Sequence, residues 1–287
     1  DKGCTLSRKT ADDWTPDYVQ RLWNWVSSTP HMQDTYFTFQ VGEGIVNFLE
    51  ESGCLKGKVL DYGCGAGFLI DHLLKKKLEV FATDFSQESV ALVNSKFAHS
   101  PYWKHAKIID GTTIPYSNDY FDVITCTEIL EHVPENRIVT LLQELNRVLK
   151  PCGTLLITTP FAEDLNQESV YCPFCNSEFH KWQHLRSFAI EDMKELLTAN
   201  GFQIDFCNGI DFKEFQGTRY YISVPFQYDM LSLWRIVRTF IRMWGEYILC
   251  RAWDTLSPAP FPHGRVFQFM LRRANPCNIC SPVSKKT

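Results

Sequence analysis

Val-Leu-Asp-Tyr-Gly-Cys-Gly-Ala-Gly, residues 59–67, decides the fold: a short apolar run ends at Asp61, and Gly63, Gly65 and Gly67 follow at alternate positions. Glycine lets a chain turn tightly and lie against a ligand where any Cβ would collide. Phe68 to Leu74 continue with helical spacing, so the glycines occupy a strand-to-helix turn of the kind that borders nucleotide pockets. The pattern then recurs. Residues 80–83 form a second apolar run that closes on Asp84, 23 residues after Asp61, where an acid can accept both hydroxyls of a ribose. A third run, residues 106–109, closes on Asp110, which is placed to accept an exocyclic adenine amine. Ligands of open α/β sheets bind outside the carboxyl ends of the strands, so the three acids are expected to line one crevice.

On these residues the chain resembles the class I S-adenosylmethionine-dependent methyltransferases. The matching segments are 59–68, 81–86, 109–115 with its Asp110 and Ile114-Pro115, 120–134 with Glu128-Ile129-Leu130-Glu131-His132-Val133, and 145–160 with Arg147 to Thr154. They occur in family order and cover about residues 42 to 210. The resemblance implies an α/β, Rossmann-like fold: a seven-stranded, mostly parallel sheet with helices on both faces and an antiparallel last strand. It also implies roles. Asp61 with the backbone of Gly63, Gly65 and Gly67 would hold the amino acid end of S-adenosyl-L-methionine, Asp84 its ribose and Asp110 its adenine, with Phe85, Gly111 and Thr127 completing the cofactor site. The sulfonium is positive, and the lysine of a phosphate-binding loop is missing after Gly67.

The chain of 287 residues, 45% hydrophobic and 14% aromatic, can bury a substantial core. Its net charge of -4 argues against a broad polyanion-binding surface and makes nucleic acid a secondary expectation as partner. No apolar run reaches the length of a membrane-spanning helix, and residues 1–30 lack the apolar centre of a signal peptide. Several of the eleven cysteines, Cys54, Cys64, Cys126, Cys152 and Cys207, fall in or beside core elements, which points to a reducing, cytoplasmic compartment.

Spacing predicts helices near 42–53, 67–77, 86–98, 135–149 and 189–200, and strands near 57–62, 79–83, 106–110, 120–126, 153–159, 202–208 and 265–272. Residues 1–41 read as an aromatic-rich helical leader, either closing over the cofactor or packing on the back of the sheet. Residues 42–273 read as the methyltransferase domain and 274–287 as a tail. Two insertions, 160–187 and 210–264, are expected to form a cap and to carry the substrate chemistry.

In the first insertion Cys172, Cys175, His180 and His184 form a C-x2-C-x4-H-x3-H series, whose thiolates and imidazoles can converge on a structural Zn²⁺. Free thiols and loop histidines are the plain alternative. A four-thiolate site completed by Cys277 and Cys280 is the other, though an antiparallel last strand would carry them away from the cofactor edge. The second insertion alternates Trp234, Val237, Ile241 and Trp244 with Arg235, Arg238 and Arg242, as expected of a basic amphipathic helix. Such a helix serves as a lid or rests peripherally on an anionic membrane.

Methyl transfer needs an aligned nucleophile and, where required, a base. Glu128 and His132 follow the fourth strand at the crevice, and His132 is the candidate base, with a helix-capping or cofactor-shaping histidine as the plain alternative. Tyr36, Phe37, Tyr171 and Trp182 are expected to line an acceptor pocket. The sequence thus points to methylation of a small-molecule or lipid-like acceptor at oxygen or carbon; the alternative is an RNA or protein methyltransferase that uses the zinc knuckle for recognition.

Overall fold

Strand register and helix spacing settle the layout in the computed structural model, which describes residues 7–8, 13–216 and 266–273. In chain order the elements are β1 (Ser7–Arg8), α1 (Pro16–Ser28), α2 (Phe37–Glu51), β2 (Lys58–Tyr62), α3 (Phe68–Lys75), β3 (Glu79–Asp84), α4 (Gln87–Phe97) and β4 (Trp103–Ile108). Then follow β5 (Phe121–Thr127), α5 (Glu135–Val148), β6 (Leu149–Pro160), β7 (Ser169–Cys172), β8 (Ser177–His180), α6 (Ile190–Ala199), β9 (Phe202–Ile210) and β10 (Val266–Arg273). The main sheet has the order β4-β3-β2-β5-β6-β10-β9. Strands β4 to β6 are parallel in that order, and β10 runs antiparallel to both β6 and β9.

Successive residues of the central strands face opposite sides of the sheet, and each side has its own core. Leu60, Ile124 and Leu155 pack with Leu141, Leu142 and Leu145 of α5 and Leu197 of α6. Their sequence neighbours Val59, Val123 and Leu156 pack with Ile45 and Leu49 of α2, Leu69 and Ile70 of α3 and Val93 of α4. Two-sided burial explains why these strands read as continuous apolar runs. Each fully buried Leu or Ile contributes about 1.5–3 kcal/mol, so the doubled core fixes the strand tips to which the site is attached.

Local signals start the helices. The Thr15 hydroxyl accepts from the Tyr18 amide at 3.4 Å ahead of Pro16, and the Ser86 hydroxyl accepts from Ser89 at 3.1 Å, each satisfying one orphan donor of a first turn. Three expectations need correction. The third strand starts earlier, at Trp103, and ends at Ile108, because Asp110 turns the chain with its own side chain. The helix placed at 42–53 starts at Phe37. The strand placed at 153–159 begins earlier: β6 starts at Leu149, pairs with Phe121, and resumes at Thr154 opposite Val123, with Cys152 at φ 60° in the bulge between.

The first insertion carries a hairpin. β7 and β8 pair antiparallel, with Cys172 opposite Ser177 near the tip and Ser169 opposite His180 at the base, and β1 adds parallel to β8. The amphipathic basic helix expected within 210–264, and Cys277 and Cys280, lie outside the described residues. Among the described residues no helix is long and apolar enough to cross a membrane.

Candidate functional site

At the carboxyl ends of β2, β3 and β5 a cavity of about 920 Å³ opens, walled by the glycine turn, the tip of β3, the loop after β4, the turn after β5, α1 and the first insertion. Asp84, Phe85, Asp110, Gly111, Thr127, Glu128 and His132 all line it, together with Gly63 and Gly65. Asp61 does not; it is buried beneath the glycine turn.

The turn is held by β3. Gly63 and Cys64 donate to the Thr83 carbonyl at 2.8 and 3.1 Å, and Gly65 donates to Asp84 Oδ2 at 2.8 Å. All three glycines have positive φ. The close approaches, however, are to side chains: a Cβ on Gly65 would lie 2.6 Å from the Tyr36 ring, and one on Gly67 2.7 Å from Val93. Asp84 Oδ1 accepts from the Ser86 amide at 2.8 Å. Burial pushes the Asp84 carboxyl up to about 6 against the pull of the Ser86, Gly65 and Phe85 amides. Asp61 is raised to about 7 by burial, opposed by the Thr125 hydroxyl that donates to it at 2.9 Å and reinforced by the Asp84 charge.

Asp110 differs. Its carboxylate accepts from the Thr112 amide at 2.9 Å and the Thr113 amide at 2.8 Å, and from both threonine hydroxyls, which holds it down at about 2. Its carbonyl accepts from Arg137 at 3.1 Å, and Tyr62 donates to the Gly111 carbonyl at 2.8 Å. Asp110 therefore shapes its loop as much as it offers a lone pair.

Beyond β5, Glu128 takes φ 54°, and its carboxyl accepts from Thr158 Oγ1 at 2.8 Å. Burial lifts it to about 7 despite that bond, with the Glu163 charge adding to the rise. Of the two roles open to His132, pocket-shaping fits its surroundings better. Burial, then the neighbouring His184, depress its imidazole to about 3, so it is neutral and a poor base. Its Nδ1 faces the Gln183 carbonyl at 3.4 Å, and its ring packs edge-on to Trp23 at 5.2 Å. Burial thus brings the Glu128 carboxyl close to neutral pH within this cavity.

The thiols and imidazoles of the first insertion do not come together. The hairpin keeps Cys172 and the exposed Cys175 near its tip while His180 sits three residue pairs away at its base, about 10 Å along the strand. The histidines turn inward instead: His184 Nδ1 donates to Glu163 Oε2 at 2.5 Å, and His180 stacks on His184 at 4.5 Å. The groups able to hold a metal among the described residues are Glu131 with His132 and His184, and Glu163 with His180 and His184. Neither includes a sulfur. Of the expected acceptor aromatics, Tyr36, Phe37 and Trp182 line the cavity, while Tyr171 is exposed on β7. Lys181, though exposed, borders the cavity beside Trp182, so the insertion contributes to the cavity wall.

The leader also closes on the site. Ser27 bonds Tyr36 at 3.0 Å and Ser89 at 2.8 Å, Gln20 donates to the Phe85 carbonyl at 3.1 Å, and Trp23 lines the cavity. Trp23, Ser27, Arg137 and Glu163 were not among the expected site residues. Glu163 gave no signal beyond its place at the start of an insertion, whereas the leader tryptophans already marked an aromatic segment.

Residues 36–205 match the model of a family described as a methyltransferase domain. A Ubiquinone biosynthesis O-methyltransferase of Coxiella burnetii is 30% identical over 115 residues, 40% of this chain and 48% of that protein. The chain spans about half the length of the curated relatives it matches. Among solved structures, one titled as a DhpI-SAH complex aligns with a TM-score of 0.53 at 15% identity, over 89% of this chain and 97% of that one. A S-adenosylmethionine-dependent methyltransferase from Clostridium acetobutylicum aligns with a TM-score of 0.55 at 14% identity, over 85% and 97%. At such identities the structural likeness speaks for the fold.

Proposed function

Because the chain belongs to the methyltransferase-domain family, we propose that it binds S-adenosyl-L-methionine in this cavity and methylates a small-molecule or lipid-like acceptor. The observation that carries the reading is Asp84: a buried carboxyl at a strand tip, held by backbone amides of the glycine turn and of residues 85–86, and lining the cavity. Its two oxygens suit two vicinal hydroxyls as donors. The fit extends to charge. Asp61, Asp84 and Glu128 surround the glycine turn and cavity, and none forms an ion pair with Lys or Arg among the described residues. A cationic ligand suits such a set.

When bound, the cofactor supplies a methyl group on a positive sulfur. The chain's part is to orient and to move a proton. The turn at Gly63 and Gly65 would face the amino acid end, with Asp61 supporting it from beneath and Gly67 starting α3 behind it; Asp84 would face the ribose, and the loop of Asp110 and Gly111 the adenine, with Phe85 and Thr127 as walls. Glu128, with a carboxyl near 7, would take the acceptor proton, and His132 would shape the pocket. An acidic acceptor such as a phenol or enol suits so weak a base. The name of the Coxiella relative favours oxygen as the methylated atom. The domain division follows: residues 42–273 as the catalytic body, the leader and the first insertion as its cap. Calorimetry with S-adenosylmethionine tests the reading: micromolar-range binding that Asp84→Ala abolishes is expected, and unchanged affinity in a folded variant would refute it.

A further inference from the structure

The turn after β5 and the first insertion meet in a polar cluster that the proposed methyl-transfer chemistry does not use. The Leu185 amide donates to the Glu131 carbonyl at 2.8 Å and pins the two segments together. That bond sets His184 against His132, their ring centres 4.8 Å apart. Glu131 lies beside them, its Oε1 4.0 Å from His132 Nε2, and ligand atoms of all three residues lie within 4.8 Å of one another.

Each donor has the form a metal needs. A carbonyl can only accept, so the Gln183 contact leaves the proton of His132 on Nδ1 and the lone pair on Nε2. Glu163, accepting from His184 Nδ1, leaves the His184 lone pair on Nε2 in the same way. Carbonyl and carboxylate partners on the far nitrogen are the usual orienters of ligating histidines. Glu131 is fully buried, with the Thr159 hydroxyl beside its carboxyl and no Lys or Arg paired with it among the described residues. A buried carboxyl with no cationic partner is costly. A cation among these three side chains removes that cost.

We propose that Glu131, His132 and His184 form a divalent-cation site with two imidazole nitrogens and one carboxylate, and that Glu163 positions His184 from behind. Two nitrogens and one oxygen suit Zn²⁺, Co²⁺ or Fe²⁺ better than Mg²⁺ or Ca²⁺. His132 and His184 line the cavity while Glu131 lies behind them. The open coordination positions therefore face the cavity, where water or an oxygen of the acceptor would bind. The site uses no sulfur, which separates it from the C-x2-C-x4-H-x3-H arrangement.

Cobalt spectroscopy on the full chain tests this without recourse to methylation. Metal-free protein titrated with Co²⁺ should develop visible d–d absorption that saturates at one equivalent, with no thiolate-to-cobalt charge-transfer band, and Zn²⁺ should displace it. His184→Gln and the near-isosteric Glu131→Gln should each weaken Co²⁺ at least 100-fold, Glu163→Gln roughly 10–100-fold, and Cys172→Ser not at all. Circular dichroism and S-adenosylhomocysteine binding report separately whether each variant is folded and whether the cofactor reading stands. No saturable absorption, absorption indifferent to both Glu131→Gln and His184→Gln, or a charge-transfer band lost in Cys172→Ser would overturn the proposal.

Discussion

Lowering the pH should weaken cofactor binding, by an amount that Asp84 sets. Burial raises its carboxyl to about 6 in the unliganded protein. Two ribose hydroxyls can both donate to it only when it is ionised. At pH 5 a group titrating near 6 is ionised in about one molecule in eleven, so the apparent affinity falls roughly tenfold between pH 8 and pH 5, about 1.4 kcal/mol. The sign for stability follows from the same raised value: this contribution is full below the unfolded carboxyl's range and is lost as pH rises from about 4 through about 6. Calorimetry with S-adenosylhomocysteine from pH 5 to 8, in two buffers of different ionisation enthalpy, measures both affinity and proton release. Asp84→Asn should bind weakly, by about 100-fold or more for two lost charge-assisted bonds. An affinity flat across this range, with no buffer-dependent heat, would refute the assignment.

Other expectations follow from packing and from the loop that carries Asp110. A Cβ on Gly44 would lie 2.1 Å from the Phe212 carbonyl oxygen, a backbone atom that no rotamer change can move; Gly44→Ala should therefore destabilise by about 1–3 kcal/mol in urea unfolding despite its better helix propensity, and an unchanged midpoint would count against the packing of α2 on residues 212–215. Arg147 forks onto Glu144 at 2.6 and 2.7 Å and reaches the carbonyls of Ile114 and Tyr116 at 2.9 and 2.8 Å. Arg147→Lys cannot reproduce that fork, so loosened 110–120 amides by hydrogen exchange and a several-fold weaker S-adenosylhomocysteine affinity are expected. Gly65→Ala combines a φ of 49° with contact on Tyr36 and should lower cofactor affinity and leader protection together; loss of affinity alone would mean the leader does not pack on the turn.

The parallel part of the sheet was legible because its strands are buried on both faces and end in acids or glycines. Val59 and Leu60 serve opposite cores, so the continuous apolar run was the right signal. Asp84 was legible for the same reason: an acid closing such a run has only the sheet edge to occupy. Asp110 was harder, since its carboxylate serves its own turn, a local bond that shifted the end of β4. The metal series misled because C-x2-C followed by two histidines fits a knuckle in spacing, whereas antiparallel pairing of β7 with β8 sets thiols and imidazoles at opposite ends. Between the two roles open to His132 the sequence could not choose, because burial beside His184, which lowers its proton affinity, is a tertiary effect. Glu163, joining the two histidines to the cavity wall, depends on a tertiary approach that no local pattern encodes.

The central claim is that the carboxylate at the tip of β3 grips a ribose beside the glycine turn. A crystal structure of the protein with S-adenosylhomocysteine tests it most directly. Both ribose hydroxyls should lie within hydrogen-bond distance of Asp84, with the amino acid end over Gly63 and Gly65. A ligand seated elsewhere, or one whose ribose hydroxyls do not contact Asp84, would contradict it.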